Sequence, residues 1–390
     1  MDGHPAGETS RRCRKLSTGI ETLAAVIEAP GKDFVVETVH LSAPGPSEVL
    51  VRIEASGVCH SDWNAASGAS ATPMPAVLGH EGAGVVEEVG SAVTRVSPGD
   101  KVVLSWLPTC GVCRACMRGD LSLCANSTTY MGRGALPSGE VRLSRGSSPL
   151  YHYSYLSTFA RHAVVDERSC VCLAEDADLE VACLVGCAVT TGVGAVFNKA
   201  KIEPGSSVVI FGGGGVGLSA LMAARFAGAD TVIVVDPVAS KRELADELGA
   251  TASLNGKDAN LAEQLRQLCP GGADYAFEAA GLPSLAATAF DAIRPGGMVV
   301  LVGVPADGEV VSFPGNVVVR SEKIVTGTFY GSARPALDMP LIMRLYAEGR
   351  FPLDRFVTAR YPLEGVNEAF AAMLEGRVVR AVLKPWEGDS

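Results

Sequence analysis

The stretch Gly-Gly-Gly-Gly-Val-Gly at residues 212–217 decides the fold of this chain. It follows a short apolar segment, Ser207–Phe211, that has the character of a buried strand, and it precedes a helical pattern. Gly212, Gly214 and Gly217 form a Gly-x-Gly-x-x-Gly motif in this strand–turn–helix context. Glycines there permit a tight turn and let backbone N–H groups approach a pyrophosphate at the helix N-terminus. The motif therefore predicts a dinucleotide site.

The second strand after the glycine turn ends at Asp236, close to the spacing at which an acidic residue holds the ribose of a dinucleotide. A carboxylate there can bond the 2′-hydroxyl of NAD and would repel the 2′-phosphate of NADP. Lys241 and Arg242 follow closely and could tolerate a phosphate, and Asp236 could instead cap a helix. We expect NAD as the cofactor, with Asp236 and Lys241 among its binding residues.

Strands and helices alternate along this part of the chain. Apolar segments at Thr231–Val235, Ala273–Glu278 and 297–302 are separated by helical patterns. This alternation predicts an α/β fold with a doubly wound parallel sheet. Residues 23–56, by contrast, alternate apolar and polar side chains between turns that contain Pro and Gly, which predicts an antiparallel β region.

Composition limits the classes to which the protein can belong. Of its 390 residues, 47% are apolar and 19% are charged, an ordinary globular mixture, and the formal net charge of -10 argues against nucleic acid as a partner. Uncharged windows at 181–198 and 205–224 are long enough to raise the question of a membrane span, but their Gly, Ser and Thr content favours buried α/β segments. The basic residues near the N-terminus precede no apolar block, so we expect no secretory signal, a mobile tail at residues 1–22 and a cytoplasmic protein.

The cysteines indicate a metal site. The chain has 11 of them, and four lie close together as Cys110, Cys113, Cys116 and Cys124. A chain of this length needs no disulfide bonds for stability, so a tight cluster favours metal binding over a set of buried or redox-active thiols. Four thiolates suit tetrahedral zinc and leave no open position, which predicts a structural zinc.

Three further motifs complete the pattern, namely Gly57-Val58-Cys59-His60-Ser61-Asp62, Gly79-His80-Glu81 and Gly186-Cys187. Together with the four cysteines and the glycine turn, they resemble the zinc-dependent medium-chain alcohol dehydrogenases over residues 23–383. The long segment after Cys124 is similar to that of the longer, dimeric branch, which includes animal alcohol dehydrogenases and glutathione-dependent formaldehyde dehydrogenases. The resemblance implies a mainly β, GroES-like catalytic domain at residues 23–188 and 331–390, and a Rossmann domain at residues 189–330.

The resemblance also implies the catalytic residues. Cys59, His80 and Cys187 match the catalytic zinc ligands, the two-cysteine, one-histidine set that is known for alcohol dehydrogenase. They leave a fourth position, where an alcohol can lose its proton more easily. Asp62 would orient His80, Glu81 would lie behind the metal, and Ser61 would accept the alcohol proton while a hydride passes to the nicotinamide.

Asn64 departs from the family pattern. In many relatives a histidine three residues beyond the serine continues the proton relay, and an amide stands there in this chain. An amide has no titratable proton to carry at neutral pH. Water would therefore complete the relay, or the proton would leave by a different route.

Further positions follow from the same likeness. The cofactor-binding set is completed by His60 and Arg380 at the pyrophosphate, Thr191 and Val216 behind the nicotinamide, and Gly215 and Val302. The substrate pocket would be lined by Ser61, Trp106, Thr129, Tyr153 and Phe329, with Ser70 and Ser154 making its outer part polar. Trp106 would narrow the space beside the zinc and so favour a primary alcohol, while the outer residues could equally be solvent-exposed loop positions.

The main interpretation is an NAD-dependent alcohol dehydrogenase with two zinc ions per chain, acting on a primary or aromatic alcohol or aldehyde. A pathway-specific tailoring dehydrogenase or a thiol-adduct formaldehyde dehydrogenase would use the same scaffold, although residues 127–129 and 69–72 carry no charge to hold glutathione. A non-catalytic dinucleotide-binding protein is the alternative of another class, but such a protein would be expected to lose its zinc ligands. The apolar run at 317–328 matches the edge at which relatives pair their cofactor sheets, so we expect a homodimer, with a tetramer left open.

Overall fold

The structure is a computed structural model, and it describes residues 19–306 and 308–388. Most of the predicted tail at residues 1–22 lies outside the described residues. The first strand, however, begins at Ile20, so the predicted boundary after residue 22 is wrong and falls inside a strand. Thr22 is buried and bonds His162 Nδ1 at 3.0 Å, which ties this part of the chain to the sheet.

The first part of the chain consists mainly of strands, and the second part contains both strands and helices. The strands are β1 (Ile20–Ile27), β2 (Val35–Leu41), β3 (Glu48–Gly57), β4 (Ala76–Val77), β5 (Glu81–Val89), β6 (Lys101–Leu104), β7 (Leu143–Arg145), β8 (Ser148–His152), β9 (His162–Asp166), β10 (Cys170–Cys172), β11 (Ser207–Phe211), β12 (Thr231–Val235), β13 (Ala252–Leu254), β14 (Ala273–Glu278), β15 (Ile293–Leu301), β16 (Ile324–Gly327), β17 (Val357–Pro362) and β18 (Arg380–Lys384). The helices are α1 (His60–Ser67), α2 (Arg114–Met117), α3 (Ala125–Tyr130), α4 (Leu179–Leu184), α5 (Thr190–Gly194), α6 (Gly215–Phe226), α7 (Ala239–Glu247), α8 (Leu261–Leu268), α9 (Pro283–Ala292), α10 (Gly315–Ser321), α11 (Pro335–Ala347) and α12 (Val366–Leu374).

Two sheets make up the mainly β part. Strands β1, β2, β7, β8 and β4 close into a small barrel, and a second sheet runs in the order β10-β6-β5-β3-β18-β17, with β9 also paired to β3. Strand β18 comes from the end of the chain and pairs with β3 through Val382 and Gly57. The C-terminal segment therefore joins the sheet of the first part of the fold, and the two-piece catalytic domain stays a prediction.

The second part contains a sheet of six parallel strands in the order β13-β12-β11-β14-β15-β16. The chain winds outward from β11 in one direction and from β14 in the other, so the order reverses beside the carboxyl end of β11. Ligands of doubly wound sheets bind at such a point. The predicted α/β fold with a mainly β companion is confirmed.

A continuous helix runs through α4 and α5, from Leu179 to Ala200, with π-helical turns at Val185–Val189 and Ala195–Ala200. Its length and composition would allow it to cross a membrane, but 89% of its most apolar window is buried inside the protein. The core helix of a globular fold has the same properties. The predicted domain boundary at residues 188 and 189 falls within this helix, and the division itself stays a prediction.

The segment 317–328, which was expected to be an apolar run, forms two elements that are separated by the charged residues Glu322 and Lys323. Its first half belongs to helix α10, and its second half contains β16, the last strand at one edge of the parallel sheet. Apolar side chains are exposed in both elements, with Val319 76% and Ile324 46% exposed. The predicted edge strand is therefore present but is shorter than the apolar run.

Candidate active site

Cys59, His80, Glu81 and Cys187 come together from three separate parts of the chain. Their possible ligand atoms all lie within 4.8 Å of one another. Cys59 immediately precedes α1, His80 and Glu81 stand at the start of β5, and Cys187 lies in the π-helical turn Val185–Val189. An imidazole and two thiols at such short separations form a donor set that suits zinc.

Asp62 fixes the orientation of His80. Its fully buried carboxylate accepts hydrogen bonds from His80 Nδ1 at 2.8 Å, from Gly79 N at 3.2 Å and from Cys59 N at 3.1 Å. With its proton on Nδ1, the ring presents the Nε2 lone pair to the two thiols. Nε2 is buried and has no hydrogen-bond partner among the described residues. Because an unpaired buried nitrogen is costly, a metal ion bound at Nε2 fits the residues that are present.

The Cys59 thiol is prepared to act as a ligand. A hydrogen bond from Cys187 holds the pKa of Cys59 well below its usual range, against the effect of burial, and His80 adds to the lowering. The thiolate is the form of cysteine that binds metals. The cluster thus already favours the charged form of one sulfur.

Glu81 and Arg380 form a buried ion pair behind this cluster. Arg380 Nη2 contacts Glu81 Oε2, and Ala188 N donates to Glu81 Oε1 at 3.3 Å. Burial raises the pKa of Glu81 to about 8, an effect that the charge of Arg380 opposes. Arg380 is predicted to contact the pyrophosphate, and in the structure its guanidinium pairs with Glu81. The Arg380 side chain nevertheless lies close to the glycine turn, because its Cδ is 2.9 Å from where a Cβ on Gly215 would be. Its buried Nε has no hydrogen-bond partner among the described residues. The contact between Arg380 and a phosphate therefore stays a prediction.

Helix α1 carries the predicted proton-transfer residues. Ser61 Oγ lies 4.0 Å from Cys59 Sγ, and Tyr153 Oη donates to the Ser61 carbonyl at 2.8 Å. Asn64 stands one turn further along the same helix and is half-buried. His60 begins the helix; partial burial of its ring lowers its pKa, and the positive charges of Arg380 and Lys241 add to this. The charges of Arg380 and Lys241 thus act on His60, and contact of these side chains with a pyrophosphate stays a prediction.

A second cluster contains Cys110, Cys113, Cys116 and Cys124, whose sulfur atoms also lie within 4.8 Å of one another. Backbone N–H groups point at the sulfurs, with Cys110 N donating to Cys124 Sγ at 3.3 Å and Cys113 N donating to Cys110 Sγ at 3.4 Å. All the cysteines that the structure describes are free thiols. Four converging sulfurs stabilised by backbone amides fit a structural zinc.

The glycine turn lies at the carboxyl end of β11. Gly212 has a φ of +108°, which side chains rarely allow, and a Cβ on Gly217 would lie 1.8 Å from Gly212 O. Both positions therefore require glycine. Gly214 precedes α6, and Gly215 and Val216 are its first residues, so their N–H groups are available to an anion at the helix N-terminus.

Asp236 acts on the turn and on the next helix. Its Oδ2 accepts a hydrogen bond from Gly213 N at 2.7 Å, and its Oδ1 accepts one from Val238 N at 2.8 Å. The N-cap residue of α7 is Val238, so Asp236 does not cap the helix, and each of its carboxylate oxygens keeps a lone pair for a ribose hydroxyl. The remaining predicted cofactor residues lie nearby: Lys241 on α7 with its Cβ 3.3 Å from where a Cβ on Gly213 would be, Thr191 on α5, and Val302, whose N–H bonds Glu278 O at 2.8 Å after β15.

Aromatic side chains surround part of the predicted substrate pocket. The Trp106 ring lies 5.2 Å from Phe329 at an angle of 78°, and the Tyr153 ring lies 5.7 Å from His80 at 75°. Trp106 is buried and Phe329 is 38% exposed, as at the wall and mouth of a cleft. Thr129 is exposed on α3, so its place in the pocket stays a prediction.

Sequence reasoning missed the residues that shape the π-helical turn. Thr190 Oγ1 donates to Val185 O at 2.6 Å, and the Tyr330 hydroxyl donates to Gly186 O. Tyr330 and Gly186 are 144 residues apart in the chain. No motif signals these contacts, because they depend on how distant elements pack.

Comparisons with known proteins agree with this arrangement. A family model described as alcohol dehydrogenase GroES-like domain matches residues 45–175, and one described as zinc-binding dehydrogenase matches residues 215–348. The NDMA-dependent alcohol dehydrogenase of Amycolatopsis methanolica is 39% identical over 367 residues, which cover 93% of this chain and 99% of that protein. The S-(hydroxymethyl)glutathione dehydrogenase of Paracoccus denitrificans is 37% identical over 375 residues, which cover 93% of this chain and 100% of that protein. The crystal structure of benzyl alcohol dehydrogenase from Acinetobacter calcoaceticus has a TM-score of 0.89 at 34% identity and covers 94% of this chain and 99% of its own.

The fold and its two cysteine-containing clusters define an oxidoreductase that uses zinc and a nicotinamide dinucleotide. The chain belongs to the zinc-dependent medium-chain alcohol dehydrogenase family, whose members act on CH–OH groups. The predicted family, fold class and type of enzyme are thereby confirmed. The roles of individual site residues remain predictions supported by their geometry.

Proposed function

We propose that this protein is an NAD-linked alcohol dehydrogenase with one catalytic and one structural zinc ion per chain, which interconverts primary or aromatic alcohols and their aldehydes. The observation that carries the proposal is the convergence of Cys59, His80 and Cys187 around the buried, unpartnered His80 Nε2. Three protein ligands leave one position for the oxygen of an alcohol. A protein that only bound dinucleotides would have no need of this arrangement.

Bound zinc would act as a Lewis acid that eases loss of the alcohol proton, and NAD would accept the hydride. Ser61 accepts the proton, because its exposed hydroxyl lies beside Cys59. Tyr153 steadies Ser61 by donating to its carbonyl at 2.8 Å. Since the Asn64 amide has no proton to pass on at neutral pH, Ser61 delivers its proton to water.

An aromatic substrate suits the walls of the cleft. Trp106 and Phe329 meet edge to face, and the Tyr153 ring packs edge to face against His80. Such rings favour apolar and aromatic groups in the substrate. Because Trp106 is bulky, it narrows the pocket, and a primary alcohol carbon fits there more easily than a secondary one. The similarity to a benzyl alcohol dehydrogenase points in the same direction.

NAD is the preferred cofactor because Asp236 stands beside the glycine turn. Its carboxylate is 6% exposed and already oriented by Gly213 N and Val238 N. A 2′-phosphate at this position would face a fixed negative charge.

Oxidation of a thiol adduct of formaldehyde is the second candidate, and the 37% identity to an S-(hydroxymethyl)glutathione dehydrogenase favours it. The uncharged side chains at residues 127–129 and 69–72 argue against glutathione as the carrier. A different thiol carrier would use the same zinc ligands.

We also propose that the protein is a cytoplasmic homodimer. Strand β16 lies at the edge of the parallel sheet, and Ile324 on it is 46% exposed. An apolar edge strand invites pairing with the same strand of a second copy. Measuring the mass in solution by light scattering tests the dimer.

The test of function is to measure initial rates with NAD and with NADP for primary, aromatic and secondary alcohols and for S-hydroxymethylglutathione, on protein whose zinc content is known. We expect NAD-linked oxidation of primary or aromatic alcohols at two zinc ions per chain. Cys59→Ala should abolish turnover and remove one zinc. Cys183→Ala is the matched control, because Cys183 is also buried, lies in the same helix as Cys187, and donates its thiol to Glu180 O at 3.1 Å, its one hydrogen bond within the part of the chain that the structure describes. Full activity of Cys59→Ala would contradict the assigned site, and turnover of the glutathione adduct alone would favour the second candidate.

A further inference from the structure

The catalytic cysteine Cys187 lies in an unusual piece of backbone. The turn Val185–Val189 is π-helical, so it is wider than the α-helical turns on either side. Side chains hold it at three points: Thr190 Oγ1 donates to Val185 O at 2.6 Å, Ala188 N donates to Glu81 Oε1 at 3.3 Å, and the Tyr330 hydroxyl donates to Gly186 O. The position of the Cys187 sulfur therefore depends on groups outside the turn.

Tyr330 reaches this turn through a constrained backbone. Tyr330, Gly331 and Ser332 all have positive φ angles, of 54°, 65° and 52°. A Cβ on Gly331 would lie 2.5 Å from Thr191 O, so this segment lies directly on the helix that follows Cys187. Residues other than glycine adopt positive φ angles only when neighbouring residues hold the backbone in that conformation. In this conformation the phenol of Tyr330 is buried inside the protein.

The Tyr330 ring also contacts the substrate pocket. Its centroid is 4.2 Å from that of Trp106, and the hydroxyl is buried. Burial raises the pKa of Tyr330 well above its ordinary value, so the hydroxyl remains protonated and able to donate. One side chain thus contacts both the turn that bears Cys187 and the indole expected to border the substrate.

We propose that Tyr330 is a positioning residue for the catalytic metal site, whose hydroxyl holds the Gly186 carbonyl and so aims the neighbouring Cys187 thiolate at the metal. This inference rests on the proposed function only in placing a metal ion at Cys59, His80 and Cys187. It assigns to Tyr330 an effect on metal retention and ligand geometry, beyond its contribution to stability.

The test uses Tyr330→Phe, which removes one oxygen and keeps the ring against Trp106. Zinc release from the holoenzyme is followed with a chromogenic chelator, and a second sample carries cobalt(II) in place of the catalytic zinc so that its visible absorption reports the sulfur ligands. We expect release of the catalytic zinc to accelerate roughly tenfold, as for other groups that orient metal ligands, and the cobalt absorption bands to shift.

Tyr155→Phe is the matched control. Tyr155 is also buried and donates its hydroxyl to a backbone carbonyl, that of Ser127, at 2.7 Å, beside the other cysteine cluster. This control should lower the stability to unfolding by a similar amount and leave the cobalt spectrum of the catalytic site unchanged. Thr190→Val, which frees another carbonyl of the same π-helical turn, should resemble Tyr330→Phe and gives a second variant if the first does not fold.

Three outcomes are informative. Faster release of the catalytic zinc and a shifted cobalt spectrum of the catalytic site in Tyr330→Phe or Thr190→Val, but not in Tyr155→Phe, support the inference. An unchanged spectrum and release rate in Tyr330→Phe, with stability reduced as in Tyr155→Phe, overturn it and leave the proposed function standing. A wild-type protein that binds no metal at this site overturns both.

Discussion

Replacing Asp62 by asparagine tests how the catalytic histidine is prepared for metal binding. In the structure Asp62 Oδ1 accepts hydrogen bonds from His80 Nδ1 and Gly79 N, and Oδ2 accepts one from Cys59 N. An asparagine can keep its oxygen towards His80, and its NH₂ group then faces the N–H of Cys59. If it flips, its NH₂ group faces His80 and Gly79, and Nδ1 becomes an acceptor, which places the ring proton on Nε2 and blocks metal binding.

The orientation that keeps the amide oxygen towards His80 costs less, and it therefore sets the size of the expected change in zinc affinity. It loses one hydrogen bond to a charged acceptor, worth about 1.5–3 kcal/mol. If that loss falls on the metal-bound state, zinc affinity at the catalytic site drops roughly 10- to 150-fold, because about 1.4 kcal/mol corresponds to a factor of ten. The estimate agrees with the roughly 10- to 100-fold effects seen when groups behind metal ligands are changed.

Competition with a chelator of known affinity measures the change in zinc affinity, and kcat/KM for the best alcohol should fall in parallel. Asp338→Asn is the control, because Asp338 is also buried and accepts hydrogen bonds from Arg334 and Asn198, neither of which is a predicted zinc ligand. It should reduce stability and leave zinc affinity unchanged. Wild-type zinc affinity in Asp62→Asn would refute the reasoning.

Three further outcomes follow from the geometry. Asp236→Asn should lower the preference for NAD over NADP roughly tenfold, as the loss of a charge-assisted bond worth about 1.5 kcal/mol implies, and an unchanged ratio of kcat/KM values would show that Asp236 does not read the ribose. Gly217→Ala should lower the free energy of unfolding by about 1–3 kcal/mol, because the new methyl group would meet Gly212 O. Gly214→Ala should lower it by less, because a methyl group there meets nothing within 4 Å. Equal losses for the two variants in urea denaturation would contradict this reasoning. Burial lowers the pKa of His152 from 6.5 to about 3, so folding favours the neutral imidazole. The contribution of His152 to the free energy of unfolding is therefore complete above pH 6.5, and it falls by about 3 kcal/mol by pH 4, because the unfolded chain binds the proton more readily. His152→Gln should flatten that part of the stability profile, and an unchanged slope between pH 6.5 and 4 would rule the histidine out as its source.

The alternation of strands and helices after the glycine turn was enough to predict the parallel sheet, because hydrophobic periodicity is a local property of the chain. The beginning of β1 at Ile20 and the division of the run 317–328 into helix α10 and strand β16 were not predicted. The first depends on pairing with a later strand, in which Leu41 lies opposite Ile20, whereas the second is already marked in the sequence by Arg320, Glu322 and Lys323. Local patterns carry little information on such pairing.

The candidate site shows the same limit. Motif likeness identified Cys59, His80 and Cys187, and their ligand atoms do converge. It also predicted Arg380 at the pyrophosphate, which stays a prediction, but it did not signal that this guanidinium pairs with the buried Glu81. A basic residue can serve either partner, and which one it meets depends on the packing of β18 against the first sheet.

The order of residues along the chain establishes which chemical groups this protein possesses: a glycine-rich turn, a carboxylate after the next strand, and two sets of side chains of the types that bind metals. How those groups are presented depends on packing between distant elements. The π-helical turn orients Cys187 because Tyr330, 144 residues away, donates to Gly186 O. His80 Nε2 remains free because burial removes water from it while Asp62 occupies the other ring nitrogen. Burial and long-range contacts set the energies of these groups, and neither exists until the chain has folded.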